Sequence, residues 1–423
     1  MIGRAHLAWL YGWSFVQAWI ESITQGFWME KQPNLFEIAL PALFLVSRLI
    51  LLITLPLDSL RGYGDLVHFY RLAEMGWPFL DFWVEFPPVF PFLSALLFQL
   101  TGGSEHVYDY LLVILFSLVQ AGSLGLFMRL STRMHGKGDG ERRTWVYFAF
   151  LVVLAYGWWY FDPLALFAML LGLLWLFEGK DGRAGAALAV GMLTKWFPAL
   201  VLVVAWRCRP PRQALLATVL TLGITAGVYT ALFLASPEMT NASIRSQASK
   251  GSWETPWALL DGNLNTGNFG PETERYQPET ALLPRGNPPA IPPWLVLIPF
   301  GLSGAWLFRR ARIKTSQAAT AFLGLTWCIF LLWSPGWSPQ WVLYLLPLVL
   351  LGLPERIGVL MAASLALVNL LEWPVLLSRG LTWGLWLTIP VRTLLLVLLA
   401  VEFWRAVQRW QALELLADPA EYT

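Results

Sequence analysis

Residues 87–100 read PPVFPFLSALLFQL, and whether they cross a bilayer decides the fold. As a helix the stretch extends about 21 Å, short of a hydrocarbon core of roughly 30 Å. If it crosses, the loop holding Arg129, Arg133, Lys137, Arg142 and Arg143 falls outside, against the bias of Lys and Arg toward the cytoplasm. If it lies along the outer face, the basic clusters at 129–143, 180–183, 207–212, 309–314 and 405–409 all fall inside. The second arrangement is the consistent one. It predicts an all-α polytopic membrane protein of about 12 transmembrane helices, with both termini cytoplasmic and juxtamembrane helices in the first outward loop.

Composition agrees. The 423 residues are 57% hydrophobic and 13% charged, against roughly 25% charged in soluble domains. That excludes an ordinary cytosolic enzyme, a disordered chain and a disulfide scaffold. Lipid admits helices or closed barrels, and the apolar runs are continuous rather than alternating with period two. A net charge of +2 does not point to nucleic acid, and Cys208 and Cys328 are not expected to pair.

Spans are expected at 35–57, 107–130, 213–235, 293–308, 316–333, 340–353, 357–371 and 384–404. The stretches 144–178 and 184–206 read as helical hairpins, broken at 157–163 and at Lys195-Trp196-Phe197-Pro198. Residues 6–29 mix Trp with Gln17 and Glu21 and read as an interfacial helix. The chain thus divides into a cytoplasmic or interfacial segment 1–34, a transmembrane module 35–235 with the outward loop 58–106, an outward cap 236–292, and C-terminal helices with a short tail over 293–423.

The first outward loop is the richest in chemistry. Gly62-Tyr63-Gly64-Asp65 precedes an amphipathic piece with Leu66, Phe69, Tyr70 and Ala73 at helical spacing, and Asp81 and Glu85 follow among aromatics. Spacing alone favours Asp65 as a helix N-cap and the other two as solvated loop charges. Trp158, Trp159 and Tyr160 read as an interfacial belt in preference to a pocket lining.

Asp65, the amphipathic piece and then Asp81-Phe82-Trp83-Val84-Glu85-Phe86-Pro87-Pro88 together resemble the GT-C glycosyltransferase superfamily. Gly185 to Pro198, ending in Thr194-Lys195-Trp196-Phe197-Pro198, Ser252 to Trp257, and Ser334 to Trp341 with Pro347 beyond are similar to further motifs of that family, in the same order. The resemblance covers most of 35–350 and implies sugar transfer, with mannose a candidate, from a polyprenyl-phosphate carrier to a glycan, lipid or protein acceptor at the outer face of the plasma (inner) membrane. By the resemblance Asp65 is the general base, and direct displacement inverts the anomeric carbon. Lys195, Arg245 and Lys250 are candidates for the phosphate. Asp81, Glu85, Trp253, Glu254 and Gln340 are candidates for the remaining substrate contacts. No cofactor is expected: a divalent metal is compatible with the family, but the histidines at 6, 68, 106 and 135 show no zinc spacing. A transporter or lipid-carrier flippase is the alternative. It fits less well, because transporters place ionisable residues near the midplane and here the acids collect in outward loops.

Overall fold

Long apolar runs fold as helices, Pro41, Pro299, Pro347 and Pro390 being accommodated inside them, and the computed structural model describes residues 35–265 and 269–417. The interfacial helix expected at 6–29 lies outside the described residues. Among these no strand forms, only isolated bridges. In chain order the helices are α1 Leu35–Thr54, α2 Leu57–Arg61, α3 Leu66–Glu74, α4 Val89–Leu100, α5 Glu105–His135, α6 Lys137–Val153, α7 Tyr156–Trp159, α8 Asp162–Phe177 and α9 Asp181–Thr194. They continue as α10 Val201–Cys208, α11 Pro211–Ala235, α12 Pro237–Arg245, α13 Pro256–Asp261, α14 Pro293–Arg310, α15 Ser316–Trp333, α16 Val342–Gly352, α17 Glu355–Leu370 and α18 Leu385–Ala417.

Six helical stretches among the described residues are long and apolar enough to cross a membrane: Leu35–Thr54, Glu105–His135, Pro211–Ala235, Ser316–Trp333, Glu355–Arg379 and Thr382–Ala412. The apolar window of Pro211–Ala235 is only 17% buried. Leu215, Leu216, Val219, Leu222 and Leu234 on it are exposed. A surface of that kind demands hydrocarbon rather than water, so the chain is an integral membrane protein. By length, α4 is not among the six. It spans 12 residues and packs on α3, where Ser94 donates to the Phe69 carbonyl at 3.4 Å.

The chain divides into two compact units, Met1–Leu43 and Phe44–Thr423, and everything that follows concerns the second. Its core pairs α9 with α8 and α11, α5 with α6 and α8, and α15 with α16 and α18. Both expected hairpin breaks are present. The first separates α6, α7 and α8; the second ends α9 at Lys195, whose backbone is extended (φ −157°, ψ 139°). A short 3-10 turn, Phe197–Leu200, then leads into α10.

Two features differ from expectation. Trp158, Trp159 and Tyr160 are no interfacial belt: they are 2%, 7% and 8% exposed. The Trp158 indole N–H donates to Ser117 Oγ at 3.0 Å, so the break turns its aromatics into the protein. The span expected at 357–371 extends further, as part of the helical stretch Glu355–Arg379. It continues through an irregular turn, Leu371–Leu376, which carries the buried Glu372. Arg392 of α18 ion-pairs with that carboxylate. This leaves Arg392 compensated inside an apolar helix, as Arg48 of α1 is by the Leu151 carbonyl.

Candidate functional site

Asp65 stands at the N-cap position of α3, yet its side chain makes no capping bond. Its backbone is tied elsewhere: the Asp65 N–H donates to the Trp159 carbonyl at 3.1 Å. Gly64 permits that approach, since a Cβ there would fall 2.2 Å from Trp159 Cβ. The half-buried carboxylate is therefore held in place but not used up. Burial pushes its pKa up to about 6, with Asp162 and Glu85 adding to the rise, while His68 and Lys195 oppose it.

Glu85 is committed. It forms a two-pronged ion pair with Arg275, one prong at 3.1 Å, and both side chains are buried. Burial opposes its ionisation, but Arg275 and His68 outweigh that and hold the carboxyl well below the usual range. Three further bonds join the same region to the 236–292 connection. The Trp83 N–H donates to the Arg275 carbonyl at 3.0 Å, the Val84 N–H to Ser243 Oγ at 3.0 Å, and Gln247 Nε2 to the Glu85 carbonyl at 3.0 Å.

Lys195 does not reach for a headgroup layer. Its Nζ donates to Asp162 Oδ1 at 2.7 Å, and the side chain is 14% exposed. The rings of Phe161, Phe197 and Trp341 surround the ammonium at 5.1, 5.6 and 5.9 Å. Asp162 begins α8 just before Pro163, and its second oxygen is buried without a partner. Lys250 is held over the faces of Trp253 (3.8 Å) and Phe269 (4.8 Å). Burial pushes its pKa down to about 8, against the pull of Glu85, Asp65 and Glu254.

The stretches 252–257 and 334–341 meet directly. Trp253 N–H donates to the Pro335 carbonyl at 3.2 Å and Trp337 N–H to the Trp253 carbonyl at 3.0 Å. The Trp253 ring lies against Gly336, where a Cβ would meet it at 2.2 Å. The Trp253 indole N–H donates to Ser338 Oγ at 3.2 Å. Gln340 is buried in the turn that follows, beside the Trp341 that faces Lys195. Glu254 takes a left-handed backbone (φ 52°), unusual for a residue with a Cβ. Its carboxyl is 2% exposed with Oε2 unpartnered. Burial and the nearby Glu372 push that carboxyl well above its ordinary pKa, with Arg392 opposing.

The structure thus brings together Asp65, Glu85, Lys195, Lys250, Trp253, Glu254 and Gln340. It leaves Asp81 and Arg245 apart. Asp81 is exposed and accepts from the Trp77 N–H at 2.7 Å, which makes it a turn-stabilising group. Arg245 is exposed at the end of α12. The sequence reading missed Asp162, Arg275, His68 and Glu272. Asp162 had a visible signal, an acid in the middle of the apolar run 144–178; Arg275 and Glu272, in a connection full of charges, had none. Glu85 and Asp162 of the cluster are paired with Arg275 and Lys195, and among the described residues no three His, Cys, Asp or Glu side chains are grouped so as to hold a metal ion.

An apolar cavity of about 370 Å³ opens between α14 and α15, with Gly301, Gly304 and Phe330 on its wall. Phe330 packs on Phe197 at 5.5 Å, one of the rings around Lys195.

No protein-family model matches the chain, and no curated protein does. The structure is similar to a crystal structure of ArnT from Cupriavidus metallidurans bound to undecaprenyl phosphate, at 16% identity and a TM-score of 0.47. That match covers 88% of this chain and 76% of the other. It is also similar to the apo crystal structure of the Archaeoglobus fulgidus oligosaccharyltransferase, at 13% identity and a TM-score of 0.43. Here the chain, 88% covered, spans 55% of the other's length.

Proposed function

We propose that this chain is a GT-C-type membrane glycosyltransferase that moves a monosaccharide from a polyprenyl phosphate to an acceptor hydroxyl, with Asp65 as general base. The observation that carries the reading is one place where a positioned, uncapped carboxylate stands among two caged lysines. Motifs far apart in the sequence (62–65, 194–198, 252–257 and 334–340) all contribute to it.

In this reading Asp65 accepts the proton of the acceptor hydroxyl as its oxygen bonds to the anomeric carbon. The bond from that carbon to the phosphate oxygen breaks on the opposite face, and its electron pair leaves with the polyprenyl phosphate. Inversion follows from that geometry. The phosphate gains negative charge as the bond breaks, so cations beside it favour the transition state over the ground state; Lys195 and Lys250 take that role. Trp253, Glu254 and Gln340 offer the sugar an aromatic face and polar contacts. The apolar cavity beside Phe330 suits an isoprenoid tail. Purified protein offered a panel of polyprenyl-phosphate sugars should release polyprenyl phosphate with an acceptor present. Failure with every donor in the panel, by folded protein, rejects the reading.

Lys195→Met should lower turnover more than it raises the donor KM. Because it also strands the buried Asp162 carboxylate, the Asp162→Asn/Lys195→Met pair is the control. That pair should recover thermal stability without recovering turnover, and a pair with wild-type kcat removes Lys195 from the chemistry. Lys250 gives a pH test. With its pKa pushed down to about 8, it loses its charge as pH rises through that value, so kcat should fall above pH 8. In Lys250→Met kcat should be low and flat over the same range.

Orientation is open to direct labelling. With Cys208 and Cys328 replaced, a cysteine at Gly138, which has open space around it, should resist a membrane-impermeant thiol reagent. A cysteine at the exposed Glu279 should react. The reverse pattern overturns the outward-facing site.

A further inference from the structure

His68 lies one turn along α3 from Asp65, and its ring is held from both sides. Nδ1 is 3.1 Å from Glu272 Oε1, and Nε2 is 3.5 Å from Glu85 Oε1. A neutral imidazole has one N–H and one lone pair. Either neutral tautomer would therefore set one ring nitrogen lone pair to lone pair against a carboxylate. The imidazolium offers each carboxylate a donor. The two carboxylates come from separate parts of the chain: Glu85 precedes α4 and is locked by Arg275, while Glu272 belongs to the 236–292 connection.

The surrounding charges are accounted for. Facing His68 are Asp65 on its own helix, Glu85, Arg275 and Glu272, with Arg71 lying 4.0 Å from Glu272. Facing Asp65 are His68, Lys195, Asp162 and Glu85, and Lys250 and Tyr160 also feel its charge. Of these cations, Lys195 is bonded to Asp162. Burial lowers the His68 pKa, but the bond to and charge of Glu85 outweigh it and the net shift is upward. The ring is 27% exposed, so its proton can exchange with solvent.

We infer that His68 is a positioning residue for Asp65: an imidazolium clamped between Glu85 and Glu272 that keeps the neighbouring carboxyl in its proton-accepting form. The inference rests on Asp65 being the base. It adds that the 236–292 connection, through Glu272, sets the charge beside that base.

Two measurements on the full-length protein in detergent test it. The first is NMR of isotope-labelled histidine, with the His68 signal identified by its loss in His68→Gln. Both ring nitrogens should carry protons at pH 7, and Glu272→Gln should lower the pH at which one is lost. A neutral His68 tautomer at pH 7 overturns the inference, whatever the activity. The second is kcat/KM against pH. Losing a positive charge raises the Asp65 pKa, so His68→Gln should move the acid limb to higher pH by roughly 1 unit. Much of the deficit at pH 6.5 should then disappear by pH 8, and His68→Arg, with a permanent charge, should move the limb back. A merely structural role would lower the rate equally at every pH and leave the limb in place, which also overturns the inference. If wild-type protein transfers no sugar, the glycosyltransferase reading fails on its own, and the NMR result still decides whether His68 is the clamped cation.

Discussion

Asp65→Asn protein will elute as a single symmetrical species, bind donor as the wild type does, and turn over about 10²–10⁴-fold more slowly, the usual worth of a positioned general base. The substitution keeps shape and removes the basic oxygen. Folding should survive because the Asp65 side chain caps nothing, and the backbone bond to Trp159 does not depend on the side chain. The pH profile adds a second signature. The base acts only when ionised, and its carboxyl is pushed up to about 6, so wild-type kcat/KM should fall as pH drops through that value. The residual activity of Asp65→Asn should show no such limb. Near-normal turnover in a folded, donor-binding Asp65→Asn protein would falsify the assignment of the base.

Arg275→Met should be the most destabilising single change in this region, by about 3–5 kcal/mol, because it takes from a buried carboxylate its two-pronged partner and leaves it only His68 at 3.5 Å. Arg275 also stacks on Trp83 at 4.8 Å, so packing is lost along with charge. Glu85→Gln/Arg275→Met should recover much of the loss, since no isolated charge remains in the interior. Thermal unfolding of the three proteins in one detergent measures this; an Arg275→Met midpoint equal to wild type contradicts it. The linkage has a definite sign. Glu85 is held below its ordinary value, so its contribution is present in full above the ordinary carboxylate range and is lost as pH falls toward the depressed folded value. The midpoint gap between wild type and the double variant should therefore narrow in acid.

What could be read in the sequence follows from what is local. The helix breaks at 157–163 and 195–198 were legible because Pro, Gly and a charge interrupt apolar runs. The shortness of the 87–100 helix was legible because its apolar run is short. Asp65 stood out by position, but its freedom from capping is a matter of backbone direction at Trp159, which no spacing encodes. The burial of Trp158 to Tyr160 was missed because an indole at the end of an apolar run looks the same whether it faces headgroups or a neighbouring helix. The fate of each lysine was likewise hidden, since Asp162 and Phe269 reach Lys195 and Lys250 only through tertiary packing. Arg392 showed as a charge within an apolar helix, while its partner Glu372 sits in an irregular turn that hydropathy blurs into the preceding span.

The seat of Trp253 against Gly336 has a consequence for biogenesis. The ribosome delivers Asp65, Lys195 and Lys250 long before it delivers residue 334. A nascent chain stalled at that point already holds Asp65, Asp162, Lys195 and Lys250, but it has no backbone at 335–337 to pair with Trp253, no Trp341 ring beside Lys195 and no Glu372 or Arg392 beside Glu254. The cluster matures only after α15 has been inserted and the turn behind it has formed. Chains arrested before Ser334 should therefore expose residues 250–260 to protease, and chains extended past Gly352 should protect them.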